Sequence, residues 1–133
     1  MPEFYNFPKI SISGEEYWRI ESVKNLKING GITVSLGDDL DYEVAIFYLD
    51  NQVYCLSNVC PHRHQNKIAQ GYIKDGNVIC PLHHWTYNLK TGENINKLQG
   101  LKSIQAFEVK IIDDYVYIEK PEINLPKWRQ MES

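Results

Sequence analysis

The stretch "CPHRH" at Cys60–His64 returns in altered form as "CPLHH" at Cys80–His84. Each stretch places a thiol, a proline and an imidazole within a few residues, and the proline stiffens its loop by fixing one backbone dihedral angle. Thiolate and imidazole together are suitable ligands for zinc or iron. The repeat therefore predicts one metal site that is held by two similar loops of an otherwise unremarkable small chain.

The order of the ligands narrows the choice of metal. The first loop offers Cys60 and His62 and the second offers Cys80 and His83, so each loop supplies one thiol and one imidazole. A structural zinc finger more often takes two cysteines from one knuckle and two histidines from a helix. One of each per loop fits two irons, one bound by two thiolates and the other by two imidazoles, as in a Rieske [2Fe–2S] centre. A zinc-stabilised β-domain that acts as a binding module is the alternative.

The two stretches "CPHRH" and "CPLHHWTYNLKTGE" together resemble the Rieske ferredoxin family. They are similar in particular to the small subunit of assimilatory nitrite reductase and to the ferredoxins of aromatic-ring dioxygenase systems, and the resemblance extends over about residues 17–120. It implies one [2Fe–2S] cluster per chain, held by Cys60, His62, Cys80 and His83. It also implies a one-electron carrier that is not catalytic alone. Its expected partners are a reductase and either a terminal oxygenase or the large subunit of nitrite reductase.

The chain departs from the family at two positions that usually hold glycine. His64 stands two positions after the first ligand histidine, and His84 directly follows the second. For both we expect a surface side chain. The alternative is a role in docking or proton coupling at the rim of the cluster.

Two aromatic residues follow the second loop. In high-potential members of the family a serine and a tyrosine at these positions donate hydrogen bonds to the cluster sulfurs, and here the positions hold Trp85 and Tyr87. We expect Trp85 to shield the cluster and Tyr87 still to donate its hydroxyl. The resemblance thus implies a reduction potential near the low end of the Rieske range of about −150 to +300 mV, raised in part by Tyr87.

Length, net charge and composition indicate the number of domains, the classes of partner and the location of the protein. A length of 133 residues suits one domain, so we expect a single domain over residues 1–133 with an irregular or disordered tail at 121–133. The net charge of −3 and the absence of a basic cluster argue against nucleic acid as a partner. The sequence shows neither a signal peptide nor an apolar run long enough to span a membrane, so a cytoplasmic location is expected.

Short runs of β-branched and aromatic residues with turn signals between them are typical of strands. Hairpins are predicted across Asp50–Asn51, across the turn that ends at Gly76, and across Asp113–Asp114. The predicted strands cover residues 17–23, 32–36, 43–49, 52–57, 71–73, 77–80, 106–112 and 115–119. No stretch has a helical period of useful length. The pattern and the resemblance predict an all-β fold, an antiparallel β-sandwich or barrel of short strands, with a cluster-binding subdomain formed by the two loops.

Two further features receive structural interpretations. Cys55 falls in a predicted strand, and we expect a small core residue rather than a fifth ligand. The acidic run of Asp38, Asp39 and Asp41 is expected to be a solvated loop, with a partner-docking patch as the alternative.

Overall fold

The computed structural model describes residues 3–60, 65–81, 85–95 and 102–123. These ranges contain short strands and three 3₁₀ helices, at Val23–Asn25, Leu40–Tyr42 and Ile68–Gln70. The strands are β1 (Lys9–Ile12), β2 (Glu15–Ser22), β3 (Gly30–Ser35), β4 (Glu43–Leu49), β5 (Gln52–Ser57), β6 (Val59–Cys60), β7 (Gln65–Asn66), β8 (Tyr72–Lys74), β9 (Asn77–Ile79), β10 (Thr86–Asn88), β11 (Ala106–Phe107), β12 (Val109–Ile112) and β13 (Tyr115–Glu119). Across the described ranges, no helix is long and apolar enough to cross a lipid bilayer.

The strands form antiparallel sheets around a central one. The central sheet has the order β11-β5-β4-β3, and the larger outer sheet has the order β1-β2-β13-β12. A smaller sheet, β10-β9-β8, and the pair β6–β7 complete the described strands. Every pairing between these strands is antiparallel. The predicted all-β antiparallel fold is therefore confirmed.

Strand β4 lies between two cores, which explains its continuous apolar run. Its central residues Val44–Phe47 are fully buried on both faces of the sheet, as expected for a strand that is covered on both sides. Alternate side chains point to opposite faces. The base core consists of Trp18, Ile20, Leu36, Tyr42, Val44, Ile46, Cys55, Phe107, Val116 and Ile118. The site core consists of Ala45, Phe47, Leu56, Cys60, Ile68, Ala69, Val78, Cys80, Tyr87, Leu89 and Ile104.

The hairpin turns follow from residues that tolerate positive φ. Asp50 and Asn51 have φ values of 52° and 61°, and Asp113 and Asp114 have values of 51° and 64°. Positive φ at both central residues is the property of the two-residue type I′ turn, whose twist matches that of the flanking strands. Both turns, and the turn at Asp75–Gly76, join antiparallel neighbours. The three predicted hairpins are confirmed.

Some elements differ from the sequence prediction. The expected strand 106–112 is interrupted at Glu108, so that β11 pairs in the central sheet and β12 in the outer one. This interruption lets the chain pass from one sheet to the other. Strands β1, β6, β7 and β10 were not predicted, because each is short and depends for its pairing on a neighbouring strand.

The acidic run is not simply a solvated loop. Asp38 is exposed, but Asp39 and Asp41 are only 8% and 6% exposed. The Asp39 side chain accepts a hydrogen bond from the Asp41 N–H at 2.8 Å and so caps the 3₁₀ helix Leu40–Tyr42. The expectation of a solvated loop is therefore wrong for both residues: the Asp39 carboxylate is held against the backbone that it caps, and Asp41 is a buried residue of the 3₁₀ helix itself.

Cys55 behaves as predicted. It lies in the base core at 1% exposure, and burial raises the pKa of its thiol. A buried thiol with a raised pKa is poorly reactive, so Cys55 is a packing residue.

Candidate metal centre

The two cysteines of the repeated stretch lie in one core. Cys60 and Cys80 are 2% and 0% exposed, and both belong to the site core. Cys60 ends strand β6, and Cys80 directly follows strand β9. Neither is joined in a disulfide. The fold thus brings together two buried thiols that are far apart in sequence.

The two loops begin in similar ways. Cys60 pairs with Gln65 in the ladder of β6 and β7, which closes the loop of residues 61–64. The Cys80 N–H donates a hydrogen bond of 2.7 Å to the Trp85 carbonyl, which closes the loop of residues 81–84. Each cysteine is therefore paired through its backbone with the residue five positions further along the chain. The two repeated stretches thus share a pairing between the cysteine and the fifth residue after it.

The predicted histidines fall within these loops. His62, His64, His83 and His84 lie outside the described residues. Among the residues that the structure does describe, no group of three or more histidine, cysteine or acidic side chains could hold a metal ion. The described part of the predicted ligand set is thus Cys60 and Cys80.

Tyr87 faces one of the two thiols. It lies on β10 opposite Val78, and its side chain is fully buried in the site core. The distance between its hydroxyl oxygen and the Cys60 Sγ is 3.9 Å, within the range of a hydrogen bond to sulfur. Burial first, and then the neighbouring Cys60 and Cys80, raise the pKa of Tyr87. The Tyr87 hydroxyl therefore stays protonated and can donate a hydrogen bond to a thiolate at Cys60.

Trp85 borders the same region. Its side chain is half-buried and packs against the site core, and its carbonyl accepts the hydrogen bond from Cys80. An indole at this place covers apolar surface of the site core. This position is compatible with the predicted shielding role.

The floor of the site is closely packed. The 3₁₀ helix Ile68–Gln70, which follows the first loop, contacts strand β3. A methyl group at Gly31 would lie 2.6 Å from the Phe47 ring and 2.8 Å from the Ala69 carbonyl oxygen. Only glycine permits this approach of the helix to the sheet. The approach holds the helix Ile68–Gln70 against the central sheet.

One set of residues near the site was missed in the sequence. Asn58, Glu43 and Asn66 are joined by hydrogen bonds beside the first loop. The available signal was a polar residue, Asn58, between an apolar strand and Cys60. That signal alone does not identify its partners.

The donor set fits an iron–sulfur cluster. Thiolates suit iron–sulfur and zinc sites, and a buried thiolate needs a metal or hydrogen bonds to offset the loss of water. Cys60 and Cys80 are buried together, and the Tyr87 hydroxyl lies beside Cys60. Hydrogen bonds to cluster sulfurs are a regular means of setting the potential. The residues present therefore suit a cluster that is partly ligated by thiolate.

Known proteins resemble the chain over most of its length. The anthranilate 1,2-dioxygenase ferredoxin subunit of Burkholderia cepacia is 26% identical over 76 residues, which cover 56% of this chain and 68% of that subunit. Sphingomonas yanoikuyae B1 ferredoxin superposes with a TM-score of 0.65 at 24% identity, over 77% of this chain and 97% of that one. A protein described as an NADH-dependent nitrite reductase small subunit from Mycobacterium tuberculosis superposes with a TM-score of 0.68 at 17% identity, over 87% of this chain and 99% of that one.

These similarities to single proteins agree with the result of comparing the chain with whole protein families. The sequence profile of the Rieske-like [2Fe–2S] domain matches residues 16–119. That range includes both loops and all the strands of the central sheet. The cofactor of such a domain is a [2Fe–2S] cluster. The chain belongs to the Rieske-like [2Fe–2S] domain family.

Proposed function

We propose that the chain is a one-electron carrier that uses a Rieske [2Fe–2S] cluster to pass electrons to or within a redox enzyme system. The observation that carries this proposal is the joint burial of Cys60 and Cys80 in one core of a Rieske-like domain. Membership of this family favours an electron carrier over a zinc-stabilised binding module.

The ligand assignment is part of the proposal. Cys60 and Cys80 bind one iron, and His62 and His83 bind the other. The burial of both thiols and the similar closure of both loops support this assignment. When bound, the cluster supplies one electron at a time, at a potential that imidazole ligation raises above that of all-cysteine clusters.

The surrounding residues adjust this site. Tyr87 donates a hydrogen bond from its hydroxyl to the Cys60 sulfur, and Trp85 shields part of the site core from water. His64 and His84 are assigned to the rim, where they meet solvent or a partner. These roles need no substrate pocket, and we assign no catalytic residue to the chain.

Two partner systems fit this carrier. One relative is named as a ferredoxin subunit of anthranilate 1,2-dioxygenase, and one structural neighbour is described as a nitrite reductase small subunit. The proposed partners are accordingly a reductase with a terminal oxygenase, or a nitrite reductase large subunit. Copurification from the cells that produce the protein distinguishes the two systems.

The proposal also covers domain organisation and location. The single domain spans residues 1–133, with 121–133 as its tail. A cytoplasmic location is supported by the three buried cysteines, all in the described part of the chain and none in a disulfide, as is typical of a reducing compartment.

Metal analysis tests this function directly. Protein purified under reducing, oxygen-limited conditions should be reddish brown and contain two irons and two acid-labile sulfides per chain. A redox titration should then show the uptake of one electron. A colourless protein with stoichiometric zinc and no iron, from iron-replete cells, would support the binding module instead.

A further inference from the structure

Asn58 is a buried amide with partners on three sides. It lies two residues before Cys60 and is only 1% exposed. Its Oδ1 accepts a hydrogen bond of 2.7 Å from the Ala69 N–H. Its Nδ2 donates to Glu43 Oε1 at 3.1 Å and to Thr33 Oγ1 at 3.4 Å. Because a buried amide is costly unless its hydrogen bonds are made, this environment selects asparagine in one orientation.

Asn66 lies on the other side of the first loop and meets the same carboxylate. It belongs to β7 and pairs with Val59 of β6. Its Nδ2 donates to Glu43 Oε1 at 2.9 Å and to the Leu40 carbonyl oxygen at 2.7 Å. One oxygen of Glu43 therefore accepts hydrogen bonds from the residues that precede and follow the loop.

Main-chain hydrogen bonds strengthen the same connection. The Asn58 N–H donates to the Glu43 carbonyl oxygen at 3.0 Å, and the Ile68 N–H donates to the Asn58 carbonyl oxygen at 3.3 Å. Glu43 begins β4, the strand whose two faces are covered by the two cores. The residues on either side of the first loop are thus joined to the most buried strand of the central sheet.

We propose that Glu43, Asn58 and Asn66 form a clamp that positions the first loop for cluster binding. This inference rests on the proposed function, in which Cys60 and His62 are ligands. Hydrogen bonds to a carboxylate are stronger than those between neutral groups. Residues behind the ligands commonly fix the geometry that a metal requires. The clamp residues are positioning residues, since they act through the loop.

Substitution of Glu43 separates positioning from simple packing. Glu43→Gln keeps an acceptor oxygen for both asparagines, whereas Glu43→Ala removes it. We expect the visible absorbance of the loaded Glu43→Ala protein to decay at least about tenfold faster in the presence of an iron chelator, because one lost charge-assisted hydrogen bond already corresponds to about this factor and the variant loses two. We expect Asn66→Ala to act in the same direction and Glu43→Gln to stay within about threefold of wild type.

A second readout is independent of electron transfer. The reduced Glu43→Ala protein should show broadened electron paramagnetic resonance lines, because a loosely held loop presents its ligands in several geometries. Hydrogen–deuterium exchange in residues 58–70 should be faster in Glu43→Ala and unchanged in Glu43→Gln.

A matched control lies away from the site. The Asn25 Nδ2 donates to Glu21 Oε1 at 2.8 Å beside the first 3₁₀ helix. Asn25→Ala therefore removes a bond of the same kind and should leave the decay rate and the resonance lines unchanged.

Two outcomes separate the clamp from the function on which it rests. Wild-type-like decay, line widths and exchange in Glu43→Ala would overturn the clamp while leaving the electron carrier intact. A wild-type protein without iron would overturn the proposed function, and the exchange comparison would still decide whether Glu43 anchors residues 58–70.

Discussion

At the scale of single residues, the contact between Tyr87 and Cys60 links burial to redox chemistry. A hydrogen bond from a hydroxyl to a ligand thiolate stabilises the reduced cluster more than the oxidised one, because the reduced cluster carries more negative charge. A charge-assisted hydrogen bond is worth about 1.5–3 kcal/mol, and about 1 kcal/mol of it remains as the difference between the two redox states. Tyr87→Phe should then lower the potential by roughly 40 mV and retain the cluster, since 59 mV corresponds to a tenfold change for one electron.

Protein-film voltammetry measures this shift. The matched control is Tyr117→Phe on strand β13 in the outer sheet, which should leave the potential unchanged. An unchanged potential in Tyr87→Phe would mean that the hydroxyl does not act on the cluster.

The doubled histidines give a second prediction at this scale. His62→Ala and His83→Ala each remove a proposed iron ligand and should abolish the normal cluster. His64→Ala and His84→Ala should retain it. Iron content and the visible spectrum of the four variants provide the measurement. Loss of the cluster in His64→Ala, with retention in His62→Ala, would reverse the assignment.

At the scale of elements, adjacent glycines on β3 test the packing below the first loop. A methyl group at Gly31 would meet the Phe47 ring and the Ala69 backbone, whereas at Gly30 it would meet the flexible side chain of Lys27. Gly31→Ala should therefore lower the free energy of unfolding by about 1–3 kcal/mol, the usual cost of overpacking. Gly30→Ala should cost less, because the Lys27 side chain can move aside.

Denaturant unfolding of both variants compares these free energies. Equal stabilities of Gly30→Ala and Gly31→Ala would contradict the close approach of the helix Ile68–Gln70 to β3.

Elements with a local signal were predictable from the sequence. Strands β4, β5 and β13 have the predicted bounds, because a run of apolar and β-branched residues and an adjoining type I′ turn define each of them locally. Strands β1 and β10 depend on partners elsewhere in the chain and were missed. The same division holds at the site. The spacing of Cys60 and Cys80 predicts a metal site from the sequence. The contacts of Glu43 with Asn58 and Asn66 exist only in the folded central sheet, so the sequence does not predict them.

At the scale of the whole molecule, the two cores share one sheet but differ in what completes them. The base core consists of packed side chains, whereas the site core contains two thiols that would be ligands of the cluster. A cofactor that binds only the folded chain stabilises it. Removal of iron should therefore lower the Tm by about 5 °C or more. Hydrogen exchange should rise in β9 and β10 before it rises in β2 and β13.

Calorimetry of the loaded and iron-free proteins gives the two Tm values, and exchange mass spectrometry locates the change. Equal Tm values, or a uniform rise in exchange across both cores, would show that the site core does not depend on the cofactor.

The central claim is that two cysteines and two histidines of this chain hold one [2Fe–2S] cluster. Electron paramagnetic resonance of the dithionite-reduced protein tests it most directly, because imidazole ligation of one iron changes the electronic structure of the centre. We predict a signal from one spin per chain, with an average g value below that of all-cysteine [2Fe–2S] clusters. An average g value equal to that of all-cysteine clusters, or the absence of a signal from a protein that contains stoichiometric zinc, would contradict the claim.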